Sequence, residues 1–278
     1  MIISNSHRLV FVHIPKCAGT TIRTGLKPIN GLGDSFDGYF DYPQGGRVLL
    51  NHLPLAELRE HFPAQYAKVE TYDSYAILRD ARTRFASALF QHLRAYQGLD
   101  PALASSSLFG RKAREACLRL EQPSERRALD LMFFLPQSAF VAIEGRQVVR
   151  HLYRIEDLQR LAQDLNARHG VAIDVDVRHN EAGLPPRPGL AAVHRTAGVV
   201  LRRVVGGGRF ARLRSSLRKA GGVAPDALYR ELFEDDRIAR FVDAYYAEDQ
   251  DRYEALGLTD QAFSRSTTSR PMDANSAS

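Results

Sequence analysis

The stretch Phe11-Val12-His13-Ile14-Pro15-Lys16-Cys17-Ala18-Gly19-Thr20-Thr21 limits what this chain can fold into more than any other. It reads as a strand, Arg8 to Ile14, running straight into a short loop that opens a helix. A lysine and two hydroxyls lie at that turn. Backbone N–H groups and the positive end of the helix dipole then converge on one spot, which is how proteins hold phosphate or sulfate without a metal. The junction predicts an anion site.

The order of residues differs from the nucleotide-binding P-loop, G-x-x-x-x-G-K-[ST], in which the lysine directly precedes the hydroxyl at the helix start. Here Lys16 comes first, Gly19 follows three residues later, and Thr20 and Thr21 come last. Lys16 can then reach the far end of a phosphate chain, while Gly19 lets the backbone approach the near phosphate. The segment resembles the opening motif of sulfotransferases that use 3′-phosphoadenosine 5′-phosphosulfate, especially the carbohydrate (family 2 type) class, bacterial-like, with its loop His-Ile-Pro-Lys-x-Ala-Gly-Thr. His13, Ile14, Pro15, Lys16, Ala18, Gly19 and Thr20 fill every fixed position. The resemblance implies cofactor binding by Pro15, Lys16, Cys17, Ala18, Gly19, Thr20 and Thr21. The plainer alternative is an ordinary strand-to-helix turn with a surface lysine.

A second strand–loop–helix unit follows. Tyr75 to Leu78 reads as a buried strand ended by Arg79-Asp80, and Arg82 to Arg94 has helical spacing with Phe85, Leu89 and Leu93 on one face. A 3′-phosphate calls for a guanidinium and a hydroxyl, because arginine makes paired, charge-assisted bonds to phosphate oxygens. The segment is similar to the same family's Arg-Asp-Pro-x-x-Arg-Phe-x-Ser, with Arg79, Asp80, Arg84, Phe85 and Ser87 matching. By that resemblance Arg79 and Ser87 hold the 3′-phosphate. Ala81 stands where the family usually has proline, a change expected to loosen the turn and remove no ligand. Alone, the segment also fits a helix N-terminus with solvated arginines.

Sulfuryl transfer to a hydroxyl needs a base, and a histidine near its normal pKa can serve. After a strand from Arg47 to Leu50 comes Asn51-His52-Leu53-Pro54, which resembles a Gly-His-x-Pro segment of some carbohydrate sulfotransferases and makes His52 the candidate base. A strand-end histidine bonded to backbone is the alternative. His13 is expected to orient the loop. Arg178-His179-Asn180 resembles a late family element near the cofactor, which leaves His179 as the second candidate base.

The remaining pattern predicts an α/β fold, a P-loop-like parallel β-sheet flanked by helices on both faces and sulfotransferase-like. Strands are expected at Ala139–Ile143 and His151–Ile155, with a helix from Glu156 to Arg168 ended by Gly170. A closing helix near Ile238 to Leu256 carries Phe241, Tyr245, Tyr246 and Tyr253, read as core packing. With 278 residues and 44% hydrophobic content the chain can bury one full core. One domain over 1–263, with a basic insertion at about 184–222, and a disordered tail over 264–278 are expected.

From Leu184 to Gly222 there are nine Lys and Arg residues and no acidic residue, although the whole chain carries only +6. Phe210, Leu213 and Leu217 share one helical face there, a pattern that suits an anionic membrane surface or an anionic glycan, or else a solvated basic helix. The two cysteines, Cys17 and Cys117, have no metal-ligand spacing and fit a reducing compartment. Cys17, at a helix start, is a candidate for a lowered thiol pKa. No apolar run approaches the ~20 residues of a membrane span, so a cytoplasmic location is expected, peripheral at the inner membrane face if the basic stretch meets lipid.

Together these readings predict an enzyme that moves a sulfuryl group from 3′-phosphoadenosine 5′-phosphosulfate to a hydroxyl of a carbohydrate or glycolipid. Lys16 and His52 are its catalytic residues, and no metal and no nucleic-acid partner is expected. The rivals are an ATP-dependent P-loop kinase and a basic membrane- or nucleic-acid-binding protein with a degenerate site. Acceptor contacts are expected from the loops Asn30–Gly46 and Gly98–Gly110.

Overall fold

Strands buried on both faces read as unbroken apolar runs, and two such runs form the middle of the sheet. A computed structural model describes residues 1–31, 36, 38–43, 46–98, 105–123, 128–175 and 225–268, with backbone alone at 225–228 and 259–268. Four strands, β1 (Ile2–Ser4), β2 (Leu9–Phe11), β5 (Asp73–Leu78) and β8 (His151–Arg154), lie in that order. β2, β5 and β8 run parallel, and β1 is antiparallel to β2 at the edge. The sheet is therefore mixed, where a wholly parallel one was expected. β2 is shorter than the apolar run predicted, yet the Val12 amide still donates to the Tyr75 carbonyl at 2.9 Å.

Helices flank the sheet. α1 (Gly19–Leu26) follows β2, and the hairpin β3 (Tyr39–Asp41) and β4 (Arg47–Leu49) precedes α2 (Leu55–His61) and α3 (Pro63–Thr71). β5 leads into α4 (Ala81–Tyr96), and α5 (Ser106–Leu120) comes next. The predicted helix after Arg79-Asp80 is present, with Phe85, Leu89 and Leu93 all fully buried. A fully buried side chain of this kind contributes about 1.5–3 kcal/mol, so this face holds α4 in place.

Two expected elements differ. Ala139–Ile143 is not a strand of the main sheet. α6 (Ser138–Val141) is followed by β6 (Ala142–Ile143), which pairs only with β7 (Arg146–Gln147) through a turn whose Glu144 and Gly145 have φ of 51° and 76°. Two left-handed residues make the tight turn that matches strand twist. The helical turn forms because Asp249 accepts from the amides of Gln137 and Ser138, at 2.6 and 2.8 Å. β8 leads through a short 3₁₀ turn into α7 (Leu158–His169), closed by Gly170 at φ 66° as predicted.

The closing helix is three helices: α8 (Pro225–Leu232), α9 (Asp236–Tyr245) and α10 (Ala247–Thr268). Between the last two, Tyr246 is buried and its hydroxyl donates to the Phe134 carbonyl at 2.6 Å, so the aromatic packing role holds there. Tyr253 packs under the Arg154 guanidinium, 4.3 Å from its ring centroid. No described helix is long and apolar enough to cross a membrane. The Arg178–Asn180 element and the basic stretch Leu184–Gly222 lie outside the described residues, as does the chain beyond Thr268.

Candidate anion-binding and base site

The loop between β2 and α1 turns sharply at two residues. Lys16 and Ala18 have φ of 67° and 55°, and Cys17 between them does not share that sign. Alternation of this kind folds successive amides into a concavity that suits an anion. Among the described residues, no acceptor takes the N–H groups of Lys16, Cys17, Ala18, Gly19 or Thr20, and the next amide, Thr21, donates to the Ala18 carbonyl at 3.1 Å. A helix start leaves its first amides without intrahelical acceptors, which is what an anion at this loop would meet.

Gly19 also meets a packing constraint that the sequence did not disclose. Its own φ is not left-handed. A Cβ there would lie 1.9 Å from His13 Cδ2 and 2.3 Å from Nε2, so the missing side chain makes room for the His13 ring. The strand-end histidine and the glycine form one packed pair.

Positive charge gathers at the same place. Lys16 is partly buried, and burial, with Arg79 and Arg94 adding, lowers its pKa to about 8. Among the described residues no carboxylate lies within ion-pair distance of Lys16, Arg79 or Arg94. Burying a cation without a partner is costly unless a ligand supplies the opposite charge. Arg79 reaches the loop directly, its Nη1 donating to the Lys16 carbonyl at 3.3 Å and its Nε to Thr83 Oγ1 at 3.2 Å. Thr83, Ser87 and Arg94 share one face of α4 by helical spacing. Thr83 ties that face to the loop through Arg79, Arg94 acts on Lys16 only electrostatically, and the Ser87 hydroxyl makes no bond among the described residues.

His52 sits in the 3₁₀ turn Leu50–His52 and is buried. Its Nδ1 lies 2.9 Å from the His13 carbonyl. A carbonyl only accepts, so Nδ1 carries the proton and Nε2 presents its lone pair. The two imidazoles lie 4.3 Å apart between centroids. His52 was expected near its ordinary pKa, but burial lowers it to about 3. Burial likewise holds the His13 imidazole well below 6.5, and its buried Nδ1 has no partner among the described residues. Both rings are neutral at physiological pH, and a pKa that low makes His52 a weaker base than an ordinary histidine.

Cys17 corrects another expectation. Burial pushes its thiol up to about 12, the opposite of activation, and Sγ donates to Gln137 Oε1 at 3.1 Å. Gln137 is a residue the sequence reading missed. Fully buried, it accepts from the Arg79 amide at 2.9 Å and donates to the Arg79 carbonyl at 2.8 Å, so one side chain joins both strand-to-helix loops. Asp249 and Gln250 of α10 were missed too. The Ala81 amide donates to Gln250 Oε1 at 3.0 Å, a bond proline could not make, and Asp80 caps α4 by accepting from the Thr83 amide at 2.9 Å. The turn at Ala81 is therefore held, not loosened. Arg84 is structural: its guanidinium is fully buried and donates to the carbonyls of Phe133 and Leu135 at 3.1 and 2.6 Å.

Comparison of the chain with protein-family models, curated proteins and solved structures gave no match. The geometry of the site therefore carries the functional argument.

Proposed function

We propose that this chain is a sulfotransferase with a P-loop-like site, moving a sulfuryl group from 3′-phosphoadenosine 5′-phosphosulfate to a hydroxyl of a carbohydrate or glycolipid. The observation that carries the reading is the positive cluster of the loop amides at the helix start, Lys16 and Arg79, with no carboxylate within ion-pair distance of either side chain among the described residues. A doubly phosphorylated nucleotide supplies the missing charge. The Ser87 hydroxyl, on the helix that follows Arg79 and without a bond among the described residues, supports a second phosphate contact, and the Arg79 guanidinium itself reaches the loop at the Lys16 carbonyl.

The donor supplies a sulfuryl group joined to a 5′-phosphate. In the proposed reaction His52 Nε2 takes the acceptor's hydroxyl proton while the new O–S bond forms, and the His13 carbonyl keeps the imidazole in the right tautomer. Lys16 and the loop amides meet the charge left on the phosphate as the old S–O bond breaks. Because these contacts strengthen only as that charge develops, Lys16→Ala should lower turnover more than donor affinity. His52→Ala should cost roughly 10²- to 10⁴-fold in rate, the usual range for a general base. Single-turnover transfer from radiolabelled donor to a mixed glycan pool tests both. Unchanged transfer in either variant removes that residue from the mechanism.

A further inference from the structure

Beside His52 lies a set of aromatic rings that no part of the donor site uses. Phe133 stands edge-on to His52, with centroids 6.2 Å apart, and the Tyr96 ring also lies 6.2 Å from Phe133. Tyr39 stands nearby on the hairpin that ends at His52: its strand partner is Leu49, and the Leu50 amide donates to the Gly38 carbonyl at 2.9 Å. Tyr39 and Tyr96 are among the few large side chains with apolar rings left open, at 58% and 37% exposure. The strand that pairs with Tyr39's own packs against the 3₁₀ helix Leu129–Phe134, which carries Phe133. At the rim, Arg47 lies over the Tyr39 ring at 5.4 Å and pairs with Asp41 through two bonds of 2.5 and 3.1 Å.

We infer that Tyr39 and Tyr96, the latter seated against the buried Phe133 ring, form the acceptor platform, on which a pyranose ring rests its C–H face while presenting a hydroxyl to His52. The chemistry of the patch argues for this occupant. Exposed tyrosines offer a flat apolar face with a polar edge, and the Asp41–Arg47 pair offers an acceptor and donors for ring hydroxyls. A purely apolar ligand would leave that charged pair facing hydrocarbon. The inference rests on the sulfotransferase reading for its purpose, but the binding it asserts is separately measurable.

Saturation-transfer NMR with methyl β-galactoside and with lactose tests it, using the full chain without nucleotide. Ring protons should be saturated by the wild type. Tyr39→Ala and Tyr96→Ala should weaken binding by roughly 3- to 10-fold, as loss of an aromatic contact does. Tyr39→Phe and Tyr96→Phe should retain it, since stacking needs the ring and not the hydroxyl. No saturation in the wild type, equal binding by the alanine variants, or loss in the phenylalanine variants would each overturn the platform. Calorimetry with 3′-phosphoadenosine 5′-phosphate on the same samples should show all variants binding as the wild type does. Sugar binding without nucleotide binding keeps the platform and sinks the donor reading; nucleotide binding without sugar binding does the reverse.

Discussion

Gly19 and His13 occupy one volume, and their substitutions should not be additive. Gly19→Ala would put a methyl group 1.9 Å from the His13 ring, displacing that ring and, with it, the carbonyl that holds His52. The double variant Gly19→Ala, His13→Ala has room for the methyl. Chemical denaturation should therefore show Gly19→Ala strongly destabilising alone and mild in the His13→Ala background, a coupling in the 0.5–3 kcal/mol range typical of contacting residues. Additive losses would mean the ring and the glycine do not share that space in solution.

Lys16 gives a pH signature at the same scale. With its pKa depressed to about 8 by burial and neighbouring cations, it is charged below that pH and increasingly neutral above it. In the unfolded chain it stays charged to about 10.4, so the folded state binds fewer protons between those values, and stability from this residue rises as pH goes up through that window. A bound anion reverses the shift. Near pH 8.5, binding of 3′-phosphoadenosine 5′-phosphate should take up protons, read as a dependence of the calorimetric heat on the buffer's ionisation enthalpy. Lys16→Met should abolish the uptake, and uptake that persists in that variant would assign it elsewhere.

At the scale of elements, Gln137 is the joint of the site. It satisfies the Arg79 amide and carbonyl and the Cys17 thiol from one buried side chain. Gln137→Ala should cost on the order of 2 kcal/mol or more, because it leaves buried polar groups unpaired. Gln137→Glu retains an acceptor but loses the donor to the Arg79 carbonyl, and should fall between. Equal melting temperatures for all three proteins would contradict the joint. The two strand–loop–helix units that Gln137 links were legible in the sequence, because apolar runs and helical spacing are local signals. The link was not: Gln137 lies 58 residues from Arg79, and Gln250 lies 169 from Ala81. A short apolar run fits strand or helix equally, so nothing local in Ala139–Ile143 disclosed that Asp249 starts a helical turn there. The break at Tyr246 was hidden for a similar reason, since α9 and α10 continue one periodic pattern across it. Within the site, the residue types at Lys16, Arg79, Ser87 and His52 were readable, whereas the depressed pKa of His52 and the raised one of Cys17 depend on burial by distant segments.

For the whole molecule, the central proposal is that the positive cluster between β2, β5 and their helices holds a nucleotide bearing a 3′-phosphate. A ligand that binds only the folded chain raises its melting temperature by mass action. The direct test is thermal unfolding with 3′-phosphoadenosine 5′-phosphate, adenosine 5′-phosphosulfate or magnesium ATP, for wild type and Ser87→Ala. The account predicts that 3′-phosphoadenosine 5′-phosphate raises the wild-type melting temperature most, by roughly 5–10 °C at a hundredfold excess over Kd, and that Ser87→Ala shrinks that shift while leaving the adenosine 5′-phosphosulfate shift unchanged. A larger shift with magnesium ATP, or none with any nucleotide, would contradict it.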